Sequence, residues 1–230
     1  PENLRATLKV MEAADVPVHL AKAPKGERPL CCGRTFLSAG LIDEAKVEAQ
    51  RLVDALMPYV EQGLPIIGLE PSCLLTLRDE IPALLPGEDT SKLAAKARML
   101  EEYIADQEAN PDFHLPLTSP APKVLLHGHC HQKAMGIMSS IEKTLALLPN
   151  TQVETVETSC CGMAGAFGYG TDTHETSRAM AELDLAPAIR KADTETLIVA
   201  DGTSCRHQVA DLTTRQPVHM ARLLEMALKK

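Results

Sequence analysis

Residues 29–40 read PLCCGRTFLSAG and residues 158–169 read TSCCGMAGAFGY. Each Cys-Cys-Gly is followed by an apolar run that ends in another cysteine, LPIIGLEPSC over 64–73 and ETLIVADGTSC over 195–205. Cys31 to Cys160 and Cys32 to Cys161 are both offset by 129 residues, and Cys73 to Cys205 by 132. Spacings that agree this closely mark a duplicated unit, and a repeat constrains the architecture before any local reading does.

The flanks repeat as well. AKARMLEEYIADQ (95–107) follows the first copy as PVHMARLLEMALK (217–229) follows the second, both with apolar residues at helical spacing. Upstream, ENLRATLKVMEAADVPVHL (2–20) matches SIEKTLALLPNTQVETV (140–156): a helix, a turn, then a strand. The Pro-rich polar stretch 108–122 is the natural linker. The division expected is a first subdomain over 1–115 and a second over 116–230.

β-rich runs bounded by turn residues predict strands at 17–21, 64–69, 123–128, 152–157 and 196–200. Helices are predicted at 2–14, 40–62, 73–84, 91–108, 132–147, 173–191, 204–212 and 218–229. Alternating strands and helices favour α/β units with mainly parallel sheets flanked by helices. Ligands then gather at the carboxyl ends of strands, where Cys73, Cys130 and Cys205 fall and just beyond which the two pairs lie.

Of 230 residues, 45 % are hydrophobic and 23 % charged, the balance of a water-soluble globular chain. A net charge of −8, no basic stripe and only 3 % aromatics exclude a nucleic-acid partner. No apolar run reaches membrane-spanning length and no signal peptide is visible, so the expected location is cytoplasmic, peripheral at the inner face of the membrane at most. The chain starts at Pro1 without an initiator Met, and a piece of a larger protein is expected. The terminal Lys229–Lys230 pair reads as a solvated helix end.

Seven cysteines, an odd count, argue against a fully paired disulfide framework. The second copy supplies Cys130, then Cys160 and Cys161 after 29 intervening residues, then Cys205 after 43 more. Four thiolates suit an iron–sulfur cluster or, as the alternative, a structural zinc that would make the chain a binding module. A third reading, thiol or disulfide chemistry at Cys160–Cys161, ranks last, since adjacent cysteines form strained disulfides. Gly33 and Gly162 let the backbone turn where neighbouring sulfurs must aim at one point. Gly165, Gly168 and Gly170 would leave further N–H groups facing a cluster. His127, His129, His131 and His207 surround this copy, and His129, His131 and His207, like Gly162, are expected to surround the ligands. Lys133 stands where it could offset cluster charge, and Glu70 and Asp201 where each would cap the helix that follows. The first copy has Cys31, Cys32 and Cys73 but no preceding cysteine, so it is an incomplete second candidate metal site. G-x-S-x-G, phosphate-loop and G-x-G-x-x-G patterns are absent, and no catalytic residue is assigned.

CCGRTF, LEPSC, HGHCHQKA, SCCGMAGAFGY and DGTSCRHQ together resemble the cysteine-rich CCG-repeat domain. That domain occurs in the B-type component of heterodisulfide reductase, the iron–sulfur component of glycolate oxidase, the C-type component of anaerobic glycerol-3-phosphate dehydrogenase, and the C-terminal region of FAD-linked oxidases of the D-lactate dehydrogenase type. The resemblance implies two pseudo-twofold-related α/β subdomains and a [4Fe–4S] cluster on residues like Cys130, Cys160, Cys161 and Cys205. It implies a part of an oxidoreductase, inactive by itself, that carries electrons from the FAD of an absent flavin domain or separate flavoprotein, reduced by a 2-hydroxy acid, towards a quinone or other acceptor. Heterodisulfide reductase-like copies end in C-x-x-C, whereas here the ends are C-R-H-Q (205–208) and C-L-L-T (73–76), which departs from a non-cubane pattern.

Overall fold

A computed structural model describes residues 2–158 and 160–229. In chain order the first elements are α1 (Glu2–Ala13), α2 (Arg34–Ser38), α3 (Ile42–Glu61), β1 (Ile66–Gly68), α4 (Pro71–Thr76), α5 (Glu80–Leu84), α6 (Glu88–Lys96), β2 (Ala97–Met99) and α7 (Leu100–Asp106). Then come β3 (Lys123–Leu126), α8 (Cys130–Ala134), α9 (Met138–Ala146), β4 (Gln152–Thr155), a 3-10 turn at Phe167–Tyr169, α10 (His174–Leu183), α11 (Leu185–Lys191), β5 (Thr196–Val199), α12 (Thr203–Leu212) and α13 (Met220–Ala227). The class is α/β with parallel sheets flanked by helices, as the alternating pattern predicts.

Two compact units form, one from the chain up to Pro17 together with Glu101 onward, the other from Val18–Leu100. Repeat boundary and packing boundary therefore differ. Helix α1 belongs by repeat to the first copy, but it packs on α13 and joins the unit of the second. Ala6 and Val10 on α1, with Leu223, Leu224 and Ala227 on α13, are fully buried.

In the Val18–Leu100 unit, β1 and β2 pair in parallel, Ile66 opposite Ala97 and Gly68 opposite Met99. Residues 95–107 read as one continuous helix, yet the pairing with β1 extracts 97–99 as a strand, and Ala97 and Met99 are fully buried beside it. Tertiary pairing here overrides local preference. The expected strand at 17–21 is absent: Val18 and Leu20 are 42 % and 39 % exposed and no strand ladder takes them in. Glu48, almost wholly buried on α3, is held by Arg28 and by Arg51 Nη1 at 2.8 Å.

The other unit carries a three-stranded parallel sheet in the order β4-β3-β5. Lys123 to Leu126 of β3 lie opposite Gln152 to Thr155 on one side and Thr196 to Val199 on the other. Val218 adds a parallel bridge to Val199, the counterpart of β2 beside β1. Leu125, Val156, Met163, Leu185, Ile189, Ile198 and Val209 form its core, and Cys161 and Cys205 are packed into that cluster.

Predicted helices that split do so for local reasons. The 132–147 segment breaks after Met135, where Gly136 takes φ +71°, the left-handed stop that glycine makes without a side-chain clash. The 73–84 and 173–191 segments restart at Glu80 and Leu185, placing Pro82 and Pro187 in a first turn where no N–H is needed. Helix α13 ends at Ala227, short of the predicted 229; the Lys229 N–H donates to Pro116 O at 2.9 Å outside any helix, and Lys230 lies outside the described residues. Among the described residues no helix is long and apolar enough to cross a membrane.

Candidate metal centre

The cysteines of the second copy leave the sheet from one edge. β3 runs into Cys130, the first residue of α8; β4 runs into the loop of Cys160 and Cys161; β5 runs into Cys205 in the first turn of α12. Because β3 is central, the chain steps to β4 on one side and returns to β5 on the other, which opens a crevice at the strands' carboxyl ends.

Local chemistry fixes each approach. His129 caps α8, its Nδ1 accepting from the His131 N–H at 3.1 Å, while Gln132 Oε1 accepts from the His129 N–H at 3.0 Å. This reciprocal pair satisfies the first donors of the short helix that begins at Cys130. At the Cys pair, the Gly162 N–H donates to Cys160 Sγ at 3.3 Å, and Gly162 has φ +88°. A side chain at 162 would place its first carbon 2.1 Å from Ser177 O on α10. The first copy repeats the arrangement: the Gly33 N–H donates to Cys31 Sγ at 3.4 Å, φ is +79°, and a Cβ would lie 2.7 Å from Ala45 O on α3. The duplicated glycine answers one demand twice, a tight left-handed turn against a helix carbonyl.

The four thiols form a continuous chain of contacts. Cys160 is held well below the ordinary thiol range, first by the Cys130 thiol and then by the Cys161 thiol, with the Gly162 N–H adding to both. Cys130 is raised because it donates to Cys160, and Cys161 is raised because it donates to Cys160 and to Cys205. Cys205 is lowered by the Cys161 thiol and next by the adjacent His127. Cys161 and Cys205 are 2 % and 1 % exposed, whereas Cys130 and Cys160 are half-buried, so the group has a closed side and an open one.

A buried polar network ties these loops together. Gln132 Nε2 donates to Glu101 Oε1 at 2.6 Å and to Asp201 Oδ2 at 2.9 Å. Asp201 Oδ1 accepts from the Met220 N–H at 2.9 Å and lies 3.6 Å from His219 Nε2. Asp201 therefore caps α13, not the helix that follows it, since Gly202 occupies that position. Glu70 stands at the N-cap position of α4, but its side chain accepts no backbone N–H of that helix; Glu70 Oε1 accepts instead from Ser72 Oγ at 3.3 Å. Lys133 Nζ donates to the Thr158 carbonyl, anchoring the strand exit before Cys160.

The residues expected to surround the ligands separate. The His129 ring is buried beside Cys205, and a side chain at Gly202 would strike both. The His131 ring packs edge-on against it, 5.1 Å between centroids. His207 is exposed on α12, its Nδ1 2.6 Å from Tyr169 Oη. Gly168 and Gly170 do not present N–H groups to the cysteines; they donate to Met163 O and Phe167 O in internal turns. His127 is the residue the spacing undervalued. It follows β3, is 2 % exposed, and brings an imidazole nitrogen, Cys161 Sγ and Cys205 Sγ within 4.8 Å of one another. Linked sulfurs beside a buried imidazole are the donor chemistry of a thiolate-bound metal centre, and the residues fit one.

The first copy, in its own unit, brings Cys32 and Cys73 into contact. Cys32 is buried and lowered to about 6 by the Cys73 thiol, with Arg34 contributing, and Cys73 is raised as the donor. Cys31 is half-buried one residue away.

A family model described as a cysteine-rich domain, CCG, matches residues 1–78 and 124–210, both copies of the motif. The chain belongs to the CCG cysteine-rich domain family. Among relatives, this CCG chain is 27 % identical over 234 residues to the C-type component of the anaerobic glycerol-3-phosphate dehydrogenase of Escherichia coli, covering 99 % of the chain and 56 % of that protein. It is 30 % identical over 191 residues to the D-2-hydroxyglutarate dehydrogenase of Pseudomonas putida, 81 % of the chain and 18 % of that protein. It is 25 % identical over 207 residues to lactate utilization protein A of Bacillus velezensis, 86 % of the chain and 79 % of that protein. The chain thus spans about half the length of the first of these, 56 %. No solved structure matches it.

Proposed function

We propose that this CCG chain is the iron–sulfur electron-transfer part of a flavin-dependent dehydrogenase. Cys130, Cys160, Cys161 and Cys205 would hold a [4Fe–4S] cluster, and Cys31, Cys32 and Cys73 would form a second, incomplete site. The observation that carries the reading is the unbroken contact chain of four thiols at the carboxyl edge of one parallel sheet. The relatives' names add that the substrates at issue, glycerol 3-phosphate, 2-hydroxyglutarate and lactate, all carry a secondary alcohol. Oxidising such an alcohol releases two electrons together, which suits a flavin, and a bound cluster would accept and release them singly. The flavin belongs to a partner domain or a separate flavoprotein, and a quinone or similar carrier would be the acceptor.

The chain's own part is to exclude water from one side of the cluster, through Cys161, Cys205 and the core around them, while leaving Cys130 and Cys160 open to exchange. Anaerobic reconstitution with iron and sulfide tests this. Broad visible absorption bleached by reductant, with acid-labile sulfide lost in Cys205→Ser, is expected. Stoichiometric zinc without labile sulfide in anaerobically prepared protein would instead establish a structural zinc site.

A further inference from the structure

We propose that His127 is itself a protein donor to the metal centre, binding through an imidazole nitrogen on the buried side between Cys161 and Cys205. The inference rests on the iron–sulfur reading above and refines its donor set: a [4Fe–4S] cluster takes one protein ligand at each of its four irons, so His127 would replace one of the four thiolates, which then stands beside the cluster.

The first support is position. The His127 N–H donates to Val199 O at 2.8 Å, fastening this residue to β5 at the point where β3 ends. Gly128 follows, and a side chain there would strike the sulfur of Met138 at 2.5 Å, so the backbone lies tight against α9. The imidazole is held where the three strand exits meet, and it shares its surroundings with the sulfurs of Cys161 and Cys205.

The second support is the state of the ring. His127 is 2 % exposed, and among the described residues neither Nδ1 nor Nε2 meets a hydrogen-bonding oxygen or nitrogen. A buried imidazole left this way is costly, because its ring nitrogens have been taken out of water with only thiol sulfur beside them. The neighbouring histidine shows the contrast: His129 Nδ1 is engaged by the His131 N–H as a helix cap. What His127 faces is sulfur, and neutral imidazole beside thiolates is a common mixed donor set for iron and zinc. Coordination would satisfy one nitrogen and account for its placement in an otherwise apolar cluster.

Mixed ligation has an electronic consequence. Imidazole is neutral where thiolate is anionic, so a centre that keeps one nitrogen ligand holds less negative charge and is more readily reduced. His127 would therefore set the potential at the side away from solvent.

The test uses the chain reconstituted anaerobically with iron and sulfide, with histidine labelled by nitrogen-15, and reads the reduced paramagnetic centre by pulsed electron paramagnetic resonance. A strongly coupled nitrogen that changes with the label, is lost in His127→Gln, and is lost in His127→Cys is expected. The His127→Cys protein, which restores a donor, should retain iron and labile sulfide and show a lowered reduction potential. Two results overturn the assignment: a wild-type cluster with only weak nitrogen coupling, which would make His127 a hydrogen-bonding neighbour, or strong coupling that survives in His127→Cys. A wild-type chain that forms no cluster at all overturns the electron-transfer reading, and His127 as a cluster donor with it.

Discussion

Gln132 Nε2 donates to Asp201 Oδ2 at 2.9 Å, and through that bond the turn presenting Cys130 is fastened to the loop presenting Cys205. The same amide group holds Glu101, so one side chain serves two buried carboxyl groups. Gln132→Leu removes both donors and leaves those groups without their partner. We expect a loss of about 3 kcal/mol in urea unfolding of the metal-free protein, the usual consequence of stranding buried polar partners. A loss under about 1 kcal/mol would mean that water replaces the amide at this position.

Gly162→Ala should be far more damaging than Gly165→Ala. Both glycines have positive φ, +88° and +70°, but a Cβ at 162 would meet Ser177 O at 2.1 Å while 165 faces open space. The open site should lose only about 1 kcal/mol, the cost of a left-handed alanine. The closed site must also displace α10 or the Cys160 loop, and thermal unfolding should place it several degrees lower. Equal melting temperatures would refute the close approach.

Glu101 gives the pH dependence of folding a definite sign. Burial, and then the nearby Asp201 charge, hold its carboxyl well above 4.5. The folded state therefore keeps a proton that the unfolded state releases, so stability declines as pH rises above about 4.5, until the folded group itself ionises. In Glu101→Gln that decline should be absent. Denaturation curves for the two proteins should thus converge in acid and separate in favour of the variant at neutral pH; parallel curves would show that Glu101 ionises normally.

In the Val18–Leu100 unit, Cys32 titrates near 6 because the Cys73 thiol donates to it. Cys73→Ala should return Cys32 towards the ordinary thiol range. The ultraviolet thiolate absorbance of metal-free protein, differenced against Cys32→Ser, reads this directly. An unchanged midpoint in Cys73→Ala would assign the effect to Arg34 and the backbone instead.

Much of the fold was legible because the repeat and the hydrophobic period reported the same thing. The strands around Val124, Val153 and Ile198 and the helices at both ends of the chain fall where apolar spacing puts them. What escaped depends on partners distant in sequence. Ala97–Met99 has a helical neighbourhood and becomes a strand only because β1 lies beside it. Residues 17–21 have strand-like alternation and no ladder to join. The cysteines announced themselves by spacing, and the structure brings Cys130, Cys160, Cys161 and Cys205 into contact. His127 did not, since one histidine among four near Cys130 carries no mark of which ring is turned inward beside the Cys161 and Cys205 sulfurs. Asp201 misled for a related reason: its nearest helix in sequence is α12, but its proton donor is on α13.

The strand order β4-β3-β5 also sets a schedule for biosynthesis. Cys130 emerges from the ribosome long before Cys205, and Cys205 comes to its companions only once β5 has been added to the far side of β3. Met220, whose N–H anchors Asp201, is made later still. A delivery system that supplies metal during translation would find an open, partial set of thiols; one that acts on the finished chain would find a seat already shaped.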